Sequence, residues 1–102
     1  MSPEVVRGDA AGPPADVYGL GVILYQLLTG EPPYRGAVFE ILARIQEGNP
    51  RPPSALRPGV GPALDAVCLR AMAVDPAARY PSTKAVADEL AVYLRGRSGG
   101  LD

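Results

Sequence analysis

The sequence has no histidine and no tryptophan, and Cys68 is its only cysteine. Without histidine, neither a Ser-His-Asp nor a Cys-His catalytic site can form within the chain. One cysteine permits neither an internal disulfide bond nor a cysteine-based zinc site. Because a lone thiol on an apolar helix face usually acts as a small packing group, we expect Cys68 in the core.

Strong charge and long apolar runs are missing as well. The formal net charge is −1, which does not favour an electrostatic nucleic-acid binder. No apolar run is long enough to cross a bilayer, and residues 1–9 lack the basic start and apolar stretch of a signal peptide. Asp88 and Glu89 are neighbours on a predicted helix and point apart, which favours a solvated face over a catalytic acid–base pair. We therefore expect a cytoplasmic protein with no membrane segment and no nucleic-acid partner.

Hydrophobic residues make up 47% of the chain, enough for the packed core of one small domain. The 12 prolines and 12 glycines are clustered, which is typical of helices joined by rigid, irregular connections. Apolar residues recur with a helical period and no strand is evident, so the sequence predicts an all-α fold. The expected helices cover residues 16–30, 37–47, 62–74 and from Ser82 or Thr83 to Gly96, followed by a flexible tail over 97–102.

The first of these helices is apolar on every side, because no residue from 17 to 29 is charged. Such a helix is expected to be buried all round, as the central helix of a domain. If the chain lacks part of its surroundings, this helix should instead expose apolar surface that binds a hydrophobic dye. Gly19 and Gly21 each weaken the helix by about 1 kcal/mol relative to alanine, so we expect both to allow close packing against a neighbouring backbone.

Three segments, in this order and spacing, resemble the final third of a protein kinase domain, in a form common among bacterial serine/threonine kinases. Residues 1–4, M-S-P-E, resemble the A-P-E motif that closes the activation segment. Residues 16–34 are similar to the D-x-W-S-x-G helix and the turn after it, with Tyr18 in place of tryptophan. Residues 68–82 resemble the D-P-x-x-R turn before the last helix. The resemblance implies that residues 1–96 form the helical lower part of the C-lobe of an α+β kinase fold, left incomplete.

This resemblance implies roles for individual residues. Glu4 and Arg79 would form a structural ion pair, since an arginine fork can grip a carboxylate bidentately; the alternative is two separate surface charges. Asp16 would anchor the catalytic loop of the complete fold by accepting its backbone N–H groups; the alternative is an N-cap or first-turn residue of its own helix. Met1 and Ser2 are possible substrate contacts.

The helix over 37–47 resembles the one that many kinases use to dock substrates and regulators; the competing interpretation is a solvated face. Glu40 and Arg44 on this helix are spaced for an i,i+4 ion pair.

The groups that perform kinase chemistry are absent from the sequence. Phosphoryl transfer needs a glycine-rich loop, a strand lysine, a catalytic-loop aspartate and asparagine, and a D-F-G aspartate on the metal. Phe39 and Asn49 are the only phenylalanine and asparagine, and neither stands in such a motif. We therefore predict no catalytic, cofactor-binding or metal-binding residue in this chain, with ATP and Mg²⁺ belonging to the complete kinase.

The resulting hypothesis is a serine/threonine kinase fragment that supplies a substrate-docking and structural scaffold and is inactive alone. Its partners would be a protein substrate or the missing N-terminal portion of the kinase. The alternatives are a non-catalytic kinase-derived binding module, a non-functional gene remnant, or an unrelated four-helix domain.

Overall fold

The computed structural model describes residues 1–101, with side chains described through Arg95. All regular secondary structure in this part of the chain is helical and it has no strand, which confirms the all-α prediction. In chain order its elements are α1 (Pro3–Val6), α2 (Pro13–Thr29), α3 (Val38–Glu47), α4 (Pro53–Leu56), α5 (Pro62–Ala71), a 3-10 turn (Pro76–Ala78) and α6 (Thr83–Leu101).

The four long helices match the four predicted ones, with shifted ends. Helix α2 begins at Pro13, earlier than expected, because Gly12 serves as its N-cap and prolines fit the first helical positions. Helix α5 ends at Ala71 instead of extending to 74. The short helices α1 and α4 were not predicted; each is a single turn that starts at a proline within a segment expected to be a loop.

The predicted glycine stops after α2 and α3 are confirmed. Gly30 has φ = 75°, and its N–H donates to the carbonyl of Gln26 over 2.7 Å. Gly48 has φ = 78° and lies so close to Val74 that a Cβ there would be 2.5 Å from the Val74 Cγ2. Glycine suits both positions because it has no Cβ to clash in the left-handed region.

The core lies where α2 packs against α5 and α6. A Cβ on Gly21 would be 2.8 Å from the Ala71 Cβ, so the expected close packing is confirmed at this position. The expectation of close packing is wrong at Gly19, where nothing lies within 4 Å of an added Cβ. The buried apolar residues are Val17, Tyr18, Tyr25, Ile45, Val67, Cys68, Ala71, Met72, Tyr80 and Val86.

The prediction that the central helix is buried all round is wrong for this chain. Ile23 and Leu27 of α2 are 54% and 78% exposed. The main contacts of α2 are with α4, α5, the 3-10 turn and α6, and the side chains of Ile23 and Leu27 stay exposed beside them. The exposed apolar surface expected of an incomplete fold is therefore present.

Helix α6 is capped by Ser82, whose hydroxyl oxygen accepts the N–H of Ala85 over 3.0 Å. It extends past Gly96, where the sequence predicted its end, because a single glycine weakens a helix without necessarily ending it. The predicted flexible tail over 97–102 lies outside the residues whose side chains are described and stays a prediction. Among the described residues, no helix combines the length and hydropathy required of a membrane span.

Candidate functional site

The structure brings Glu4 and Arg79 together from opposite ends of the chain. The Arg79 Nη1 lies 2.7 Å from Glu4 Oε2, and Nη2 lies 2.8 Å from Oε1. The Arg79 side chain is fully buried, and that of Glu4 is 11% exposed. This paired geometry is the strong form of a charge-assisted hydrogen bond.

Further contacts hold the guanidinium group of Arg79 in place. Its Nε donates to the carbonyl of Ala73 over 2.7 Å, and Nη1 also donates to the carbonyl of Pro14 over 3.0 Å. Nη2 donates to the carbonyl of Val74 over 3.3 Å, and the group lies 5.0 Å from the ring centre of Tyr18. Arg79 thus joins α1, the start of α2 and the segment after α5.

The ion pair changes the acid–base behaviour of Glu4. Hydrogen bonds from Arg79 lower the pKa of this carboxyl group from 4.5 to about 2, although burial alone would raise it. Glu4 is therefore a carboxylate at neutral pH. A group held so firmly in its charged form is suited to fixing structure and unsuited to exchanging protons.

Cys68 is fully buried in the core, as predicted. Burial, with a smaller contribution from Asp65, raises the pKa of its thiol to about 12. The thiol is therefore protonated at neutral pH, whereas the thiolate is the reactive form of cysteine.

Met1 and Ser2 occupy different environments. Ser2 is only 3% exposed and its hydroxyl oxygen is buried. Its carbonyl accepts the N–H of Val6 over 3.0 Å. Met1 is 70% exposed. It lines a groove of about 300 Å³ together with Tyr18, Val22, Pro32, Pro33, Tyr34, Ile41 and Ile45.

Asp16 lies in the first turn of α2 and is not its N-cap, which is Gly12. Its side chain is exposed and has no hydrogen-bond or ion-pair partner in the described part of the chain. Helical spacing places Asp16 on the same side as Gly19, Ile23 and Leu27. We call these four residues the open face of α2.

The open side of the helix continues into a second apolar groove, of about 480 Å³. It runs between α2, α5 and α6. Its lining residues are Leu24, Leu28, Gly59, Val60, Leu64, Leu90, Tyr93 and Leu94.

Sequence reasoning missed the contact that seats α3 beside α1. The side-chain amide of Gln46 donates to the carbonyl of Pro3 over 2.6 Å, and Arg7 donates to the Gln46 oxygen over 3.4 Å. A glutamine at the polar edge of a helix is too common to reveal such a contact in advance. At the other end of α3, Val38 and Phe39 are 69% and 86% exposed.

The described residues do not fit a nucleotide–magnesium site. Within that part of the chain, no three acidic, cysteine or histidine side chains converge as metal ligands. Gly19 and Gly21 lie inside α2, where backbone N–H groups are committed to the helix and cannot cradle a phosphate.

Comparison with known proteins shows what this architecture is similar to. The family profile described as "Protein kinase domain" matches residues 1–90. The serine/threonine-protein kinase PknB of Mycobacterium tuberculosis (strain ATCC 25618 / H37Rv) is 46% identical over 82 residues, covering 78% of this chain and 13% of the relative. PknB of Mycobacterium leprae (strain TN) is 42% identical over 101 residues, covering 97% of this chain and 16% of the relative.

Two further proteins widen the comparison. The tyrosine-protein kinase MasK of Myxococcus xanthus (strain DK1622) is 39% identical over 101 residues, covering 98% of this chain and 16% of the relative. The twitchin kinase region from C. elegans superposes with a TM-score of 0.75 at 24% identity, covering 84% of this chain and 15% of that one. The chain therefore spans about one-seventh of the length of these curated relatives, and the structural likeness concerns the fold.

Proposed function

The chain belongs to the protein kinase family, and we propose that it supplies the substrate-docking and structural platform of a serine/threonine protein kinase. In the complete kinase, the γ-phosphate of ATP would pass to a serine or threonine hydroxyl of a protein substrate. ATP and Mg²⁺ would be held by residues outside the described ones. The PknB relatives support the serine/threonine class, whereas MasK carries the name of a tyrosine kinase.

The open face of α2 is the observation that carries this proposal. Asp16 presents a carboxylate without a partner at one end of the face, and Ile23 and Leu27 present exposed apolar groups further along it. A carboxylate accepts backbone N–H groups strongly, and apolar side chains are stabilised by burial. This combination suits a partner that offers a turn of backbone beside apolar side chains. We identify that partner as the portion of a kinase domain that carries the catalytic loop.

The Glu4–Arg79 pair would serve the platform by holding its first turn in place. Because α1 is bound at Glu4, the exposed side chain of Met1 stays beside its groove. We assign the substrate contact to Met1. Ser2, being buried, would contribute through the backbone turn that positions Met1. A cytoplasmic location belongs to the same proposal, because the reaction consumes ATP.

A chimeric kinase tests the proposal. Residues 1–95 of this chain would replace the matching segment of the M. tuberculosis PknB kinase domain, which retains its own ATP-binding and catalytic residues. We expect the chimera to phosphorylate a serine- or threonine-containing protein with Mg²⁺ and ATP. We expect no phosphoryl transfer from residues 1–102 alone. A folded chimera without activity, or activity of the isolated chain, would refute the platform role.

Substitution of Asp16 sharpens the test. Asp16→Ala in the chimera should lower the rate by about tenfold or more, because a misplaced catalytic group is costly. Asp88→Ala is the matched control, since Asp88 is an exposed aspartate whose partner, Lys84, lies one turn away on α6. Equal rates for the two variants would argue against an anchoring role of Asp16.

A second candidate is a non-catalytic binding module that acts through α3. It is favoured by the exposure of Val38 and Phe39 at the start of that helix. In that case Phe39→Ser should abolish binding to a partner kinase while Asp16→Ala leaves the binding unchanged. The platform role predicts the opposite. Asp16→Ala should weaken association with a kinase portion more than Phe39→Ser does.

A further inference from the structure

The groove beside Met1 has two neighbouring cavities, which share lining residues with it. Pro33 and Tyr34 also line a neighbouring cavity of about 380 Å³. Pro32 and Pro33 line a third cavity of about 190 Å³. The three cavities therefore adjoin one another along the Pro32–Tyr34 segment.

The two ends of this set of cavities differ in chemistry. The end beside Met1 is formed by apolar and aromatic side chains. The far end is lined in both remaining cavities by Arg44 and Arg51. We call the whole feature the apolar–arginine groove.

The two arginines at the far end are free to bind an anion. Both are exposed, and neither guanidinium group has a hydrogen-bond or ion-pair partner within the described residues. The expected Glu40–Arg44 pair is not formed; the Glu40 carboxylate lies against Gly36, where an added Cβ would be 2.7 Å from Oε2. Arg44 is therefore not neutralised by the residue that its spacing suggested.

The remaining charges around this end leave it basic. Arg35 also lines it but is paired with Glu31 over 3.2 Å. Glu47 is the other carboxylate in the lining. With Arg35 and Glu31 offsetting each other, Arg44 and Arg51 outweigh Glu47.

The backbone beneath Arg51 is held in place by α2. The hydroxyl group of Tyr25 donates to the Arg51 carbonyl over 2.6 Å, and the Tyr25 side chain is buried. Burial raises the pKa of Tyr25, so its hydroxyl group remains a donor at neutral pH. Arg51 consequently starts from a fixed backbone position, which lowers the entropic cost of binding.

We propose that the apolar–arginine groove binds an extended peptide segment of the protein substrate, with an apolar side chain beside Met1 and an acidic side chain between Arg44 and Arg51. Charge complementarity selects this occupant, because unpaired guanidinium groups attract carboxylate or phosphate groups and repel basic peptides. The inference rests on the proposed docking function and adds the substrate class.

Binding of short peptides to the full chain of residues 1–102 tests the groove directly. Fluorescein-labelled peptides of equal length would carry one leucine and a flanking set of glutamates, phosphoserines, glutamines or lysines. A further peptide would keep the glutamates and replace the leucine with serine. Fluorescence anisotropy at low and high salt measures each dissociation constant.

We expect the glutamate and phosphoserine peptides to bind and the lysine peptide not to bind. Affinity should fall as salt is raised, since exposed charge pairs are screened. Replacing leucine with serine should weaken binding as well. Equal affinity for acidic and basic peptides, or no binding of any peptide, would overturn the inference.

A double variant locates the contact. Arg44→Gln with Arg51→Gln should weaken binding of the acidic peptide by about tenfold, since each exposed ion pair contributes roughly twofold to fivefold. Lys84→Gln with Arg95→Gln is the matched control, because it removes the same charge from the exposed surface of α6. Both variants alter exposed side chains, and equal melting temperatures would establish that each is folded. Equal weakening by the two double variants would contradict the assignment.

The chimeric kinase separates this inference from the function on which it rests. Arg44→Gln with Arg51→Gln should leave phosphorylation of a neutral peptide unchanged and remove the preference for acidic over neutral substrates. An active chimera with no such preference at the outset refutes the groove inference alone. An inactive chimera refutes the platform role. In that case, peptide binding by residues 1–102 still tests whether the apolar–arginine groove binds an acidic peptide.

Discussion

The two faces of α2 have similar composition and opposite environments. On the closed face, Gly21 touches α5, and Val17 and Tyr25 are buried. On the open face, Ile23 and Leu27 are exposed and Gly19 has free space around it. Both faces are apolar, and the difference lies in which neighbours the chain itself supplies.

The comparison teaches that the neighbours supplied by these residues cover only one of the two apolar faces of α2. An exposed isoleucine or leucine is common on protein surfaces. Two of them in line with a partnerless aspartate, on a helix without a charge between 17 and 29, indicate a contact surface. The closed face should therefore be sensitive to substitution, and the open face should tolerate polar residues.

The largest expected effect is at Arg79, which lies against Tyr18 and supports the closed face. Arg79→Ala should lower the free energy of unfolding by about 3–5 kcal/mol, because it leaves the Glu4 carboxylate buried without its partner. Urea or thermal unfolding followed by circular dichroism measures the change. Arg95→Ala serves as the control for loss of an exposed arginine. An unchanged melting curve for Arg79→Ala would contradict the role of the pair.

Acid should weaken the same contact. The pKa of Glu4 is lowered to about 2 in the folded chain from 4.5, so its contribution to stability is fully present above pH 4.5. That contribution declines as the pH falls from 4.5 towards 2, because the unfolded state takes up the proton first. Unfolding measured at several pH values should show this slope in the parent, and a shallower slope in Glu4→Gln. Parallel slopes would exclude Glu4 as the responsible group.

Replacing Gly19 or Gly21 of α2 with alanine should change the free energy of unfolding in opposite directions. Gly21→Ala should cost about 1–3 kcal/mol, because its Cβ would meet Ala71 and Met72 at 2.8 and 2.9 Å. Gly19→Ala should stabilise the chain by up to about 1 kcal/mol, because the added methyl group meets nothing and alanine favours the helix. Unfolding free energies of both variants decide the point. The same sign of change in both would remove the distinction between the faces.

The smallest effect on stability is expected on the open face itself. Leu27→Gln should change the free energy of unfolding by no more than about 0.5 kcal/mol, as is usual for exposed positions. It should nevertheless reduce the fluorescence of a bound hydrophobic dye, because Leu27 is 78% exposed. Failure of the parent chain to bind such a dye would contradict the expectation that the open face is exposed apolar surface.

Much of the fold could be predicted from sequence because its signals are local. The apolar spacing in α3, the proline at the start of α5 and the glycine at the end of α2 each act within a few residues. Helix α1 was missed because one turn opened by proline has almost no periodicity. The start of α2 was misplaced because two prolines preceding Asp16 resembled a loop.

The candidate site was less accessible to sequence reasoning. Glu4 and Arg79 were singled out through the family resemblance, since neither residue has a local signal for a partner 75 positions away. The i,i+4 spacing suggested that Arg44 would be paired with Glu40, whereas the structure leaves it free beside Arg51. Spacing along a helix shows which side chains could meet. It does not show which of several possible neighbours a side chain will contact in the folded chain.

The sequence by itself determined the all-α class and the central apolar helix, because composition and short-range periodicity are properties of the chain alone. Only the tertiary structure decided that one face of α2 is closed by Ala71 and the other left open. It also decided that Arg44 and Arg51 share one groove. Whether a side chain is buried, and which side chains lie close together, depends on which distant segments pack against each other. That packing follows from the summed contacts of the whole fold.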